Sequence, residues 1–269
     1  MNMLARLTFL FFLVLCGSDA LAQKGRMGGQ AQEMETKENL EAFIERGLFA
    51  TGLSPLFPEG VDCPQVSSPY ASPTRYDGSP RANDHYGLHN GLDISLKFAT
   101  PLLAVADGEV AHAGTGGRLV GNFIWIRFGP EATGLPVHVF ARYQHLDSPS
   151  PLRPGDLVVR GQTVGLSGNT GTVGGHYGQA GYPHLHLNLL ISKSPDFTLN
   201  GQMLRPDMIE YLDPLGLYLA PPVDEISNRL LRDLPESRKK LAVSVMTTDG
   251  RTLSAASKPI WPVACTWKK

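Results

Sequence analysis

The chain is predicted to be mainly β, built on an antiparallel sheet, with a short helix ahead of the sheet and a small C-terminal extension behind it. Three observations predict this. Residues 101–106, 108–113, 123–128, 137–143, 157–159 and 184–191 are short apolar or alternating runs rich in Val, Ile, Leu and aromatics. Turn signals such as Asp107-Gly108, Gly129-Pro130, Pro154-Gly155-Asp156 and Asn169-Thr170-Gly171 separate them. The gaps leave no room for crossover helices, which disfavours a parallel α/β arrangement.

Taken in order, residues 1–22 are read as a signal peptide. Arg6 closes a basic start, residues 7–15 are continuously apolar, and Ala20-Leu21-Ala22 is a small-x-small cleavage site. Cys16 is the residue type a lipid anchor would use, but Leu15 before it is larger than such sites take. The apolar run is also short for an uncleaved anchor, and no other segment could span a bilayer. Residues 23–84 form a lead-in, polar at first, then with Leu40, Phe43, Ile44 and Leu48 at helical spacing across 35–50. Pro, Ser and Gly crowd residues 54–80. Residues 85–215 hold the sheet domain. Residues 216–269 form an extension expected to pack on it, with a short helix over 224–234 and a hairpin of 241–246 with 252–255 around Asp249-Gly250.

Charges nearly cancel, 24 basic against 25 acidic, so there is no electrostatic case for nucleic acid. Cleavage after Ala22 would leave two of the three cysteines, Cys63 and Cys265. Export places them in an oxidising compartment where they can pair, the alternative being two separate buried thiols. Neither lies near the histidines in sequence, which argues against a thiolate metal site or a cysteine nucleophile.

The chemistry is concentrated in the histidines. In Pro183-His184-Leu185-His186-Leu187-Asn188-Leu189, alternation puts both imidazoles on one strand face and the leucines on the other. Alone, such a strand suits a solvated polar face; a metal is the other use of paired histidines. His89 and Asp93 flank Asn90-Gly91. In a straight strand they would start about 13 Å apart, so a shared ion requires a bend, which Asn90-Gly91 permits. His145 closes an alternating strand at the sheet rim, a position suited to a general base or an oxyanion stabiliser. Tyr143, two residues back, would share its face if the strand runs straight; the alternative is a sheet aromatic. His85 is a rival ligand, His112 and His138 are read as ordinary strand or loop histidines, and Arg75-Tyr76-Asp77 with Arg81 as bracing for the approach segment.

As a set, and in this order, the motifs resemble lysostaphin-type (LytM-like) zinc metalloendopeptidases, the peptidoglycan DD-endopeptidase branch. They are His89-x-x-x-Asp93, the 101–110 run ending Ala106-Asp107-Gly108-Glu109-Val110, Gly121-Asn122, Tyr143-Gln144-His145-Leu146, Gly161-Gln162-Thr163-Val164-Gly165, Ser167-Gly168-Asn169-Thr170-Gly171 and Pro183-His184-Leu185-His186, covering about residues 85–192. The resemblance implies a lysostaphin-like, duplicated-hybrid-motif sandwich. It implies one Zn²⁺ held by His89, Asp93 and His186, with His145 and His184 as the catalytic imidazoles, one the general base and the other the oxyanion or leaving-group stabiliser. Its substrate class is the peptide crosslinks or bridges of bacterial cell-wall peptidoglycan, which fits export to the periplasm, or secretion. The alternative is a noncatalytic or autoinhibited envelope protein of the same fold that binds peptidoglycan or regulates an amidase. Three departures stand out: a long stretch 171–182 containing His176, Asn188 where relatives often place Glu, and Arg127 where many place His.

Overall fold

The computed structural model describes residues 40–81, 87–172, 181–207, 210–220 and 223–269. The expected signal peptide, His85 and His176 lie outside the described residues. Residues 40–45 are helical, and Phe43–Lys269 form one compact unit.

The lead-in carries β1 (Ser54–Leu56), β2 (Val61–Asp62) and β3 (Val66–Ser68). Next come β4 (Leu92–Ser95), β5 (Pro101–Leu103), β6 (Gly108–Thr115), β7 (Asn122–Phe128), β8 (His138–Leu146), β9 (Leu157–Val158), β10 (Thr163–Leu166) and β11 (His184–Ser192). The rest are β12 (Phe197–Asn200), β13 (Met203–Pro206), β14 (Glu210–Leu212), β15 (Lys240–Ala242), β16 (Val245–Met246), β17 (Thr252–Leu253) and β18 (Thr266–Trp267).

The main sheet has eight strands in the order β3-β4-β11-β8-β7-β6-β9, with β14 also on β11. Every pairing in it is antiparallel. Strand β11 lies at its centre: β8 flanks it along His186–Ser192, while β4 and then β14 share its other edge. Strand β4 has no strand signature in the sequence for this reason. Leu92, Asp93 and Ile94 are all buried, so the segment lacks the polar alternation that marks a half-exposed strand.

Alternation sorts β11 as expected. Leu185, Leu187, Leu189 and Ile191 enter the larger apolar core, while His184, His186 and Asn188 occupy the opposite face. The larger core also takes in Val243, Val245, Trp261 and Val263 from the C-terminal segment. A smaller cluster of Phe123, Trp125, Phe140, Leu190 and Tyr211 covers part of the histidine face and leaves its other end open. Cys63 and Cys265 form a disulfide across a sequence separation of 202.

Three expected elements are shorter than predicted. The 101–106 run forms a strand only over Pro101–Leu103, paired with β10 outside the main sheet. The helix expected over 224–234 is confined to Asn228–Arg232, because Ser227 starts it by accepting from the Leu230 N–H. The expected hairpin is present only as Val245–Met246 with Thr252–Leu253, while Leu241 and Ala242 pair with β1 instead.

Candidate metal and catalytic site

Three elements bring His89, Asp93 and His186 together. Asp93 on β4 pairs directly with His186 on β11. His89 is carried by the segment before β4, whose backbone is tied to the lead-in by Ala71 N–H to His89 C=O at 2.7 Å and His89 N–H to Ser72 C=O at 3.1 Å. Asn188 fixes the intervening turn by donating to the Asn90 carbonyl.

The chain bends at Asn90 and Gly91, as expected, and Gly91 has a second role. Its φ is not positive, but a Cβ there would stand 2.5 Å from His186 Nε2 and 2.6 Å from the Leu187 carbonyl oxygen. The position requires glycine because β11 passes so close to it.

The side chains meet through their acceptor atoms. His89 Nδ1 lies 2.9 Å from the Pro69 carbonyl, so it carries the proton and leaves Nε2 with a lone pair. That Nε2 is 3.0 Å from Asp93 Oδ1 and 3.0 Å from His186 Nδ1, while His186 Nδ1 is 2.9 Å from Asp93 Oδ1. A proton on His186 can serve one neighbour only; a cation serves all three. Two imidazoles and a carboxylate form a donor set that suits zinc.

Arg81 holds the far side of the aspartate. It donates to Asp93 Oδ2 at 3.2 Å and Ser68 Oγ at 2.9 Å, while its Nε binds the Thr74 carbonyl. It therefore braces the approach segment, as expected, and also orients Asp93.

His145 and His184 line the same cavity, of about 220 Å³. Their rings are 4.6 Å apart, and His184 Nε2 is 3.8 Å from Asp93 Oδ1. Backbone carbonyls set both tautomers: His145 Nδ1 faces Thr170 O at 2.8 Å and His184 Nδ1 faces Tyr182 O at 3.0 Å, leaving each Nε2 unprotonated. The Tyr182 ring stacks on His184 at 4.8 Å.

A β-bulge puts His145 there. Asn122 pairs with Leu146 and Phe123 with Gln144, so His145 is the extra residue, and it takes φ +63°. Two sequence motifs converge on it: Thr170 Oγ1 accepts from Asn122 N–H at 2.9 Å, and Gly121 passes where a Cβ would meet the Thr170 carbonyl at 2.0 Å. The bulge also separates His145 from Tyr143. Tyr143 is fully buried in the core, donating to Leu103 O at 3.1 Å and accepting from Val105 N–H at 3.2 Å, and so is a sheet aromatic.

Burial and charge keep the site poised. Burial would raise the Asp93 carboxyl, but His89 and His184, with hydrogen bonds to His186 and His89, outweigh it and hold the group well below the usual carboxylate range. Burial pushes His186 down to about 3 against the pull of Asp93. Burial likewise drives His145 well below the usual imidazole range, reinforced by His184 and His186.

The remaining candidates lie elsewhere. His112 bonds the Gly201 carbonyl at 3.0 Å. His138 is pushed down by burial and by Arg127, with Asp196 opposing. Arg127 pairs with Glu109 at 2.8 Å, across the β6–β7 register.

The model of Peptidase family M23 matches residues 87–200, a span holding all five of these side chains. The chain carries a peptidase family M23 domain. An uncharacterized metalloprotease of Haemophilus influenzae is 31% identical over 142 residues, 53% of this chain and 24% of that protein. Peptidoglycan DD-endopeptidase ShyA of Vibrio cholerae is 36% identical over 107 residues, 40% of this chain and 21% of that protein. The chain thus matches less than a quarter of the length of either relative. Among solved structures, the catalytic domain of lysostaphin from Staphylococcus simulans, crystallized in the absence of phosphate, aligns with TM-score 0.37 and 25% identity, covering 56% of this chain and 86% of that one.

Proposed function

We propose that this M23 chain is a zinc-dependent endopeptidase that hydrolyses peptide crosslinks or bridges of bacterial peptidoglycan. The observation that carries the proposal is the mutual approach of His89 Nε2, Asp93 Oδ1 and His186 Nδ1 within 3.0 Å. ShyA, by its name, acts on peptidoglycan.

His89, Asp93 and His186 would hold the ion. Zinc, when bound there, supplies Lewis acidity that polarises a scissile carbonyl and acidifies water. His145 and His184 then carry the proton traffic through their free Nε2 atoms. One accepts the proton of the attacking water as its oxygen bonds to the carbonyl carbon; the other stabilises the developing oxyanion or the leaving nitrogen. When the C–N bond breaks, the proton passes from imidazole to the departing amine. Burial keeps His145 unprotonated at neutral pH and therefore able to accept.

The apolar start of the chain, residues 7–15, and the Cys63–Cys265 disulfide support export to the periplasm, or secretion. No helix among the described residues is long and apolar enough to cross a membrane. Digesting purified crosslinked peptidoglycan with zinc-loaded protein, followed by mass analysis of the muropeptides, tests the proposal. Crosslink opening that disappears in His186→Ala is expected; intact crosslinks with zinc bound would reject it.

A further inference from the structure

Behind the candidate metal ligands, the cleft contains a buried cation that makes no ion pair among the described residues. Arg142 on β8 lines the same cavity, is only 2% exposed, and pairs in register with Asn188. Its guanidinium lies 4.9 Å over the Trp125 ring, and its one hydrogen-bond partner among the described residues is the Met203 thioether at 3.2 Å, a weak acceptor. Nε is buried without a hydrogen-bond partner, as is Oε1 of Gln144, two residues on and directly opposite His186. Four arginines line the cavity, Arg75, Arg81, Arg118 and Arg142, against Asp93 as the single carboxylate among the described lining residues. Asp93 is already engaged by Arg81.

A buried guanidinium is costly unless something pairs it. Burial lowers the Arg142 pKa to about 10, so it stays cationic at neutral pH. Gln144 and Arg142 are two residues apart on one strand face, so the guanidinium begins about 7 Å along β8 from the point opposite His186. A carboxyl group on the carbon next to an amide nitrogen stands within about 4–5 Å of the scissile carbonyl carbon, and the long Arg142 side chain, which lines the same cavity, can close the remaining gap. The cavity therefore suits a substrate with a negative charge on the leaving side of the cut bond.

Resting on the endopeptidase reading of this site, the geometry points to Arg142 and Gln144 as an anion subsite for an amide whose nitrogen-bearing carbon carries a free carboxylate. Arg142 binds the carboxylate, and Gln144 Oε1 accepts an N–H of the same residue. Two sources offer this chemistry: a crosslink made through an amine beside a free carboxylate, and the last residue of a linear peptide.

The test uses the zinc-loaded full chain and three synthetic probes. These are a crosslinked peptide dimer with that carboxylate free, the same dimer with it amidated, and a linear peptide ending in D-Ala. Cleavage is followed by chromatography, and binding by calorimetry on His145→Ala. The free-carboxylate dimer should bind and react about 10- to 100-fold better than its amide, the usual range for a hydrogen bond to a charged group. Arg142→Gln should erase the difference and Arg142→Lys restore part of it. Asn188→Glu, which sets a carboxylate opposite Arg142, should also erase it, so the subsite remains testable if Arg142→Gln does not fold. Preference for the linear peptide over the dimer would support the subsite and identify a chain end as its source. Preference in binding with no cleavage would keep the subsite and reject the endopeptidase reading. Equal handling of free and amidated dimers, binding of neither, or a preference that survives in Arg142→Gln would overturn the subsite.

Discussion

Replacing Gly91 with alanine tests whether the approach of β11 to the β4 entry builds the metal site. The added Cβ would meet His186 Nε2 at 2.5 Å, the Leu187 carbonyl oxygen at 2.6 Å and His186 Cε1 at 2.7 Å, all closer than real Cβ contacts. Leu187 is backbone in the central strand and cannot yield cheaply, and the His186 ring can yield only by moving Nδ1 away from Asp93 and His89. Overpacking of this kind costs about 1–3 kcal/mol. At roughly 2–4 °C per kcal/mol for a domain of this size, the metal-free protein should melt several degrees lower. The displaced ligand should cost zinc affinity by about 10- to 100-fold, as losses of supporting contacts do. Competition against a chromophoric chelator measures the affinity, and thermal unfolding with and without zinc separates it from fold stability. If Gly91→Ala binds zinc as tightly as the parent and melts at the same temperature, glycine is not required by contact with His186.

Other substitutions probe the frame around the site. Tyr143→Phe removes the partner of the Val105 N–H and the Leu103 carbonyl; it should lower stability by about 1–3 kcal/mol in urea unfolding while zinc affinity is unchanged, and a loss of zinc would return Tyr143 to the site. Asp213 is raised to about 6, chiefly by burial. Its folded form therefore keeps a proton that the unfolded chain loses near 4, and stability is full below about pH 4 and lost as pH rises through about 6. Asp213→Asn should gain on the parent across that window, by on the order of 3 kcal/mol at pH 8, in metal-free urea titrations; a gap independent of pH would show the carboxyl to be unshifted. Reducing the Cys63–Cys265 bond should cost about 2–5 kcal/mol, because it closes most of the chain into one loop, and an unchanged urea midpoint would contradict this.

The parts of the site legible in the sequence are those written in side-chain periodicity. His184, His186 and Asn188 alternate with leucines, so their face and strand could be read directly, and so could the hairpin around Asp249-Gly250. Strand β4 could not, because its burial on both sides removes the polar alternation that would have marked it. The bend at Asn90-Gly91 is legible, but the close approach of His186, 95 positions from Gly91, is not, because no local pattern records it.

The position of His145 shows where periodicity gives out. Strict alternation from Tyr143 puts His145 on the core face, and only one extra residue in the β7–β8 register turns it toward His184. The bulge has no signature in the strand itself; its support comes from Gly121, Asn122 and Thr170, which are distant in sequence. The carbonyls of Pro69, Thr170 and Tyr182, which fix three imidazole tautomers, are also silent, since every residue has one. A turn motif such as Ser167-Gly168-Asn169-Thr170-Gly171 thus carries chemical information that its own side chains do not reveal: it delivers a backbone oxygen to a histidine. Arg142 was missed for the complementary reason. A lone arginine in an apolar strand stands out only once the structure shows that no acid lies opposite it.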